Sequence, residues 1–321
     1  MSITLRPKTG FALTPLALTP LALILALSGC SSAPSTDTAT DEGTPTASAA
    51  CPGGPVDVVV SVDQWGDIVS ELGGDCASVT TLLASSSVDP HDYEPSPSDA
   101  AAFKKARLVV VNGADYDHWA SDLAAASAPS AAVVDAATVT GTPAGANPHL
   151  WYKPSAVTAV ADAVSAELAK LNPEAADYFA ERRSAFGQAL QPYDTLIETI
   201  KTEAAGKSYV ATESVFDYQA EALGLVDKTP PGYRQAAANE SEPSPADIRA
   251  FQAELESGEV SVMIFNTQTE GSVSQQLRAA AESAGVPVVA VTETVPPGQD
   301  TFVGWQDEQL TDLAEALGVK P

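Results

Sequence analysis

Residues 56–74 read VDVVVSVDQWGDIVSELGG and place a run of β-branched residues directly before apolar residues at helical spacing. The first seven residues predict a buried strand, and residues 65–74 predict a helix. The same pattern recurs along the chain, with further strands predicted at 78–84, 107–112, 131–136, 208–212, 260–266 and 286–292. Strands that alternate with helices in this way predict an α/β fold, in which helices flank parallel sheets.

One segment, residues 173–205, breaks this alternation because it has no strand signal and repeats apolar residues at helical spacing. It predicts one long helix, and Pro192 inside it predicts a kink or break between residues 188 and 192. Four predicted strands precede this helix and three follow it. We therefore expect two α/β lobes, at residues 55–172 and 206–321, joined by the long helix.

The N-terminal 54 residues differ in composition from the rest of the chain. Residues 1–29 carry two basic residues before an apolar run, which predicts a secretory signal peptide. Two prolines interrupt the run and disfavour the alternative, a membrane-spanning helix. LSGC, ending at Cys30, resembles a bacterial lipobox, which implies cleavage before Cys30 and a lipid on its thiol. Residues 30–54 are rich in Ser, Thr, Ala and Pro and predict a flexible stalk behind that anchor.

Charge and cysteine content indicate which partners and which compartment suit the protein. The chain has 42 acidic and 16 basic residues and a formal net charge of −26. Nucleic acid is thereby an unfavourable partner, since phosphate binding needs a basic surface. With Cys30 lipidated, Cys51 and Cys76 remain as a pair that export would expose to an oxidising compartment. We expect a disulfide between them, with two free thiols as the alternative, because spacing alone does not fix their geometry.

Four side chains in the folded part are candidate metal ligands. His91, in VDPHDYEP, and His149, in NPHLWYKP, each lie in a loop that prolines stiffen. Glu213 and Glu293 each stand where a predicted strand ends. Ligands of open α/β sheets bind beyond the carboxyl ends of strands, so these four can converge on a divalent first-row metal. The spacing also allows solvent-exposed histidines and glutamates that only complement helix dipoles.

Three segments carry a family resemblance. VDPHDYEPSPSD (88–99), NPHLWY (147–152) and ATESVFDYQAEALGL (211–225) resemble segments of the zinc- and manganese-binding lipoproteins of bacterial ABC importers. The resemblance covers nearly all of the chain after the stalk. It implies two α/β lobes joined by a rigid helix, with one divalent metal ion bound between the lobes.

The resemblance assigns ligands residue by residue. His91 and His149 match the two family histidines, and Glu213 falls where zinc-type members have a third histidine and manganese-type members a glutamate. Glu293 lies at a position that is usually aspartate, so Asp300, in GQDTF, is the alternative fourth ligand. His118 matches no family ligand and is expected at the surface or the rim of the cleft. Glu213 favours Mn(II) slightly, whereas two histidines favour Zn(II) when both metals are present.

The predicted function is that of a metal receptor and not of an enzyme. The expected protein is monomeric, extracytoplasmic and tethered by lipid to the cell membrane, where it binds Mn(II) or Zn(II) and delivers the ion to an ABC permease and its ATPase. An exported metalloenzyme with the same four ligands is one alternative, although HExxH and GxSxG motifs are absent. A metal chaperone or an adhesin is another. Trp151, Tyr152 and Phe216 are expected to pack around the site.

Overall fold

A computed structural model describes residues 51–84, 93–239, 241–268, 271–299 and 301–321. In its first half, four strands form one sheet in the order β2-β1-β3-β4, and every neighbouring pair is parallel. These strands lie within one residue of the predicted bounds: β1 Val56–Val62, β2 Ala77–Leu83, β3 Leu108–Val111 and β4 Ala132–Asp135. Buried valines fill β1 and β3, as expected for central strands that helices cover on both faces.

The second half forms another four-stranded parallel sheet, in the order β6-β5-β7-β8. Its strands are β5 Ser208–Ala211, β6 Val226–Asp227, β7 Val262–Asn266 and β8 Val288–Val291. Three strands were predicted here, and the fourth, β6, was missed. It has only two residues, which pair with Ser208 and Tyr209, and that is too short to give a periodic signal.

Among the described residues, five helices accompany the first sheet: α1 Asp63–Gly73, α2 Pro97–Phe103, α3 His118–Ser127, α4 Ala136–Thr140 and α5 Pro154–Leu171. The helix α1 begins directly after β1 and buries Trp65, Ile68 and Leu72 completely. At the start of α2, Ser96 and Asp99 cap each other's backbone N–H groups, and a proline takes the first helical position. Local sequence therefore sets where these helices begin.

The segment that connects the two sheets is a long helix with a break. It opens with a 3-10 turn, Pro173–Ala175, and continues as α6 Ala176–Ala189 and α7 Gln191–Ala204. The break at Leu190 lies two residues before Pro192, so the missing N–H of this proline falls in the first turn of α7 and costs no internal hydrogen bond. The predicted kink is thereby confirmed. The helix α6 packs against α1 and α5 of the first half.

The described part of the second half has five more helices: α8 Asp217–Ala222, α9 Pro231–Ala238, α10 Pro245–Glu256, α11 Ser272–Ala284 and α12 Phe302–Ala316. The last of these, α12, packs against α7 and β8 and also contacts α1. One cluster of buried apolar residues includes side chains from both sheets, such as Val58 of β1 and Ile264 of β7. The two halves therefore share a hydrophobic core across the connecting helix.

Two further features concern the N-terminal end of the chain. A disulfide joins Cys51 to Cys76, with their Cα atoms 5.0 Å apart, and ties the chain before β1 to the 3-10 turn between α1 and β2. Of the helices that the structure describes, none is long and apolar enough to cross a membrane. The predicted signal peptide, Cys30 and nearly all of the predicted stalk lie outside the described residues.

Candidate metal centre

The second sheet presents polar side chains at the carboxyl ends of three adjacent strands. Glu213 lies two residues beyond β5, Asn266 is the last residue of β7, and Glu293 lies two residues beyond β8. Because β5, β7 and β8 are parallel neighbours, these three ends meet at one edge of the sheet. The predicted carboxylates are thus brought to the same place by the sheet itself.

The Asn266 side-chain amide joins the two carboxylates. Its Nδ2 donates to Glu213 Oε2 at 2.6 Å and to Glu293 Oε1 at 2.9 Å. Carboxylate oxygens only accept hydrogen bonds when ionised, so the amide must turn its nitrogen, with two hydrogens, toward them. Asn266 and Glu293 are almost fully buried, at 2% and 6% exposure. Two acidic side chains that would repel each other are therefore held side by side by one neutral donor.

His149 faces this pair from the first half of the molecule. Its Nε2 lies 3.6 Å from Glu293 Oε2, and the residue is only 6% exposed. The other ring nitrogen, Nδ1, lies 2.7 Å from Asn147 Oδ1, an oxygen that can only accept. Nδ1 therefore carries a proton, which fixes the tautomer of a neutral ring and directs the Nε2 lone pair toward Glu293. A carboxylate facing that lone pair suits a cation between them, either a proton or a metal ion.

Aromatic side chains surround His149. The Trp151 ring lies edge-on to the imidazole with centroids 5.3 Å apart, and the Tyr116 ring follows at 6.1 Å. The Tyr116 hydroxyl also donates to Glu293 Oε2 at 3.3 Å. Behind them, Tyr152 packs against Phe216, and both side chains are fully buried. These walls limit water access and restrict the rotation of the imidazole.

The backbone around Glu293 is held by a glutamine from the neighbouring strand end. Gln268 Oε1 accepts from the N–H groups of both Glu293 and Thr294, the latter at 2.8 Å. Gln268 Nε2 donates in turn to Thr294 Oγ1 at 2.7 Å. Asn266 and Gln268 were not identified from the sequence. Their signal was present in the sequence, since Asn266 and Gln268 stand at the end of a buried strand, as Glu213 and Glu293 do.

The N-terminal end of α1 contacts the same backbone segment from the other side. Gln64 Nε2 donates to the carbonyl oxygen of Glu293 at 2.6 Å, and the N–H of Val295 donates to Asp63. Burial raises the pKa of Asp63 to about 7, against the hydrogen bonds that lower it, and the nearby charge of Asp67 adds to the rise. The chain that carries Glu293 is thus fixed by residues of both halves.

The remaining predicted site residues are His91, Asp300 and His118. His91 and Asp300 lie outside the described residues, so the structure gives no position for either. Within the described part of the chain, no group of three or more His, Cys, Asp or Glu side chains is arranged to hold a metal ion. His149, Glu213 and Glu293 therefore stay predicted ligands. His118 is the first residue of α3 and is exposed.

Sequence comparisons identify a matching family and relatives of this chain. Residues 58–316 match the model of the family described as ZnuA, zinc-uptake complex component A, periplasmic. The manganese-binding lipoprotein MntA of Halalkalibacterium halodurans is 27% identical over 176 residues, which are 52% of this chain and 58% of that protein. The high-affinity zinc uptake system protein ZnuA of Bacillus subtilis is 25% identical over 262 residues, 74% of this chain and 81% of that protein.

Structure comparison gives the same fold. The periplasmic zinc-binding protein TroA of Treponema pallidum superposes with a TM-score of 0.68 at 21% identity, covering 82% of this chain and 99% of the other. A manganese-bound point mutant of a periplasmic metal-binding protein of Candidatus Liberibacter asiaticus gives a TM-score of 0.69 at 18% identity over the same share. The two parallel sheets and the bent connecting helix are thus shared with periplasmic metal-binding proteins. With its family model matched over residues 58–316, this chain belongs to the ZnuA family of periplasmic zinc-uptake components.

Proposed function

We propose that this protein is an extracytoplasmic receptor that binds one divalent transition metal ion, Zn(II) or Mn(II), and delivers it to an ABC importer. The observation that carries the proposal is the approach of His149 Nε2 to Glu293 Oε2 at 3.6 Å, beside a second carboxylate held by Asn266. Two Lewis bases directed at each other across this distance suit a cation bound between them.

The proposed ligands are His149, Glu213 and Glu293, with His91 as the fourth. Two neutral imidazoles and two carboxylates would cancel the double charge of the ion, so that it can be held in a buried site. His149 comes from the first half of the chain and the two glutamates from the second. The ion would therefore be held between the halves, and its binding would stabilise their contact.

The location and partners rest on the N-terminal sequence and on the relatives. Residues 1–29 would direct export, and a lipid on Cys30 would anchor the protein to the cell membrane outside the cytoplasm, with residues 30–54 as the stalk. MntA is named a manganese-binding lipoprotein and the B. subtilis protein a component of a zinc uptake system. We infer that a permease with its ATPase receives the ion from this protein, which acts as a monomer without catalysing a reaction.

The test is calorimetric titration of metal-free protein with Zn(II) and Mn(II) alone. The wild-type protein should bind one ion per chain, and His149→Ala should remove most of the affinity. His118→Ala is the matched control, because His118 is exposed at the start of α3 and should keep wild-type affinity. Equal affinity in His149→Ala and His118→Ala would contradict the proposed site.

A further inference from the structure

Asn266 stands between the two glutamates and is engaged on every side. Its Nδ2 donates to one oxygen of each carboxylate, Glu213 Oε2 and Glu293 Oε1. Its Oδ1 accepts from the N–H of Gln268 at 3.0 Å, and its own N–H donates to Thr212 Oγ1 at 3.1 Å. The side-chain amide is therefore held in this orientation by three hydrogen bonds.

A fixed donor on one oxygen changes how a carboxylate can bind a metal ion. Bidentate binding needs both oxygens of the group at similar distances from the same ion. Asn266 turns Glu213 Oε2 and Glu293 Oε1 toward itself, so each carboxylate presents one edge to the amide. Glu293 Oε2 is the oxygen on the side of His149 Nε2. Asn266 thus engages one oxygen of each glutamate, and Glu293 directs its other oxygen toward His149.

The number of ligand atoms matters for the choice of metal. Zn(II) is usually held by four ligands in a tetrahedron, whereas Mn(II) prefers a larger set rich in oxygen. Resting on the proposed function above, we propose that Asn266 is a specificity-determining positioning residue, which restricts Glu213 and Glu293 to one oxygen each and thereby favours Zn(II) over Mn(II). This inference opposes the slight preference for Mn(II) expected from Glu213 alone.

The test replaces the amide with an apolar group of similar size, Asn266→Leu, and measures Zn(II) and Mn(II) affinities by calorimetry. Loss of a residue that orients a ligand typically weakens metal binding by about 10- to 100-fold. We expect that loss for Zn(II) and a smaller loss for Mn(II), because the released carboxylates can then bind through both oxygens. The ratio of Zn(II) to Mn(II) affinity should fall by about tenfold, within the range that such orienting residues contribute.

A spectroscopic measurement separates this role from a general loss of structure. Co(II) absorbs visible light strongly with four ligands and weakly with five or six. Wild-type protein loaded with Co(II) should show the strong absorption, and the Asn266→Leu protein a weaker one. Asn266→Ala, which removes the donor without adding a charge beside the two carboxylates, should give the same changes if Asn266→Leu fails to fold.

Asn172 provides the matched control. It is also buried, at 5% exposure, but its Nδ2 donates to the backbone carbonyls of Pro52 and Gly54, away from the site. Asn172→Leu should leave both the affinity ratio and the Co(II) spectrum unchanged. An unchanged ratio and spectrum in both Asn266 variants, or an equal change in Asn172→Leu, would overturn the inference. Wild-type protein that binds none of the three metals would instead overturn the proposed function.

Discussion

The two halves of the molecule hold their metal-facing side chains in different ways. His149 is oriented by Asn147, two residues earlier in the same loop, through the 2.7 Å contact with Nδ1. Glu213 and Glu293 are oriented by Asn266, which is 53 and 27 residues away along the chain. The imidazole is thus fixed by a local turn, whereas the carboxylates are fixed only when the second sheet has formed. Local support can be recognised in a short motif, and support between strands cannot.

The largest loss of metal affinity is expected from removing a ligand that the second sheet positions. Glu293→Ala should weaken Zn(II) binding by more than about 100-fold, since it removes a ligand and also one acceptor of Asn266. The change in affinity is measured by competition with a chelator. Asp300→Ala is the companion variant and should keep tight binding. The reverse result would move the fourth ligand to Asp300.

A smaller loss of metal affinity is expected from a change in the loop that orients His149. Asn147→Ala removes the acceptor that fixes the His149 tautomer, together with a 2.7 Å hydrogen bond from Asn147 Nδ2 to the carbonyl of Ser214. Metal affinity should fall by about 10- to 100-fold with the fold retained. Asn239→Ala, at an exposed helix end, is the control for calorimetry. If Asn147→Ala binds as tightly as this control, the loop does not orient the imidazole.

The smallest effect on metal affinity is expected at α1, which contacts the Glu293 segment from the first half and where a substitution acts mainly on stability. The pKa of Asp63 is raised from 3.8 to about 7. Between these two pH values the folded protein keeps this carboxyl group protonated, whereas the unfolded chain has lost the proton. Stability contributed by this group therefore falls as pH rises from about 4 to about 7 and stays low above that.

Asp63→Asn removes this penalty and keeps an acceptor for the Val295 N–H. The variant should be more stable than wild type at pH 8, by at most about 4 kcal/mol, and the gain should vanish near pH 4. Denaturant titrations at the two pH values measure it. Asp162→Asn, at a largely exposed carboxylate, should show no such pH-dependent gain. A gain of equal size at both pH values would show that the charge of Asp63 is not its source.

The same distinction explains how much could be predicted from the sequence. Seven of the eight strands and the break in the long helix follow from periodicity and from Pro192, because both are local signals. The disulfide pairing followed from composition and export, not from geometry. The strand β6 was missed because its two residues are strand only by virtue of pairing with β5. A strand that exists only because it pairs with a neighbouring strand leaves no periodic pattern in the sequence.

The residues of the candidate site also differ in whether a local signal predicts them. His149, Glu213 and Glu293 were predicted from prolines, strand ends and the resemblance. The structure places His149 beside Glu293 and joins Glu293 to Glu213 only through Asn266. Asn266 and Gln268 were not, because an amide near a strand end has many possible partners and its role depends on which carboxylate the fold places beside it. His91 and Asp300 stay predictions.

The most direct test of the account is a crystal structure of the Zn(II)-loaded protein with anomalous diffraction at the zinc edge. We predict one anomalous peak per chain, about 2.0–2.2 Å from His149 Nε2 and from one oxygen each of Glu213 and Glu293. The other oxygen of each carboxylate should still accept from Asn266. A peak elsewhere, or an intact His149–Glu293 contact without an ion between the two side chains, would contradict the account.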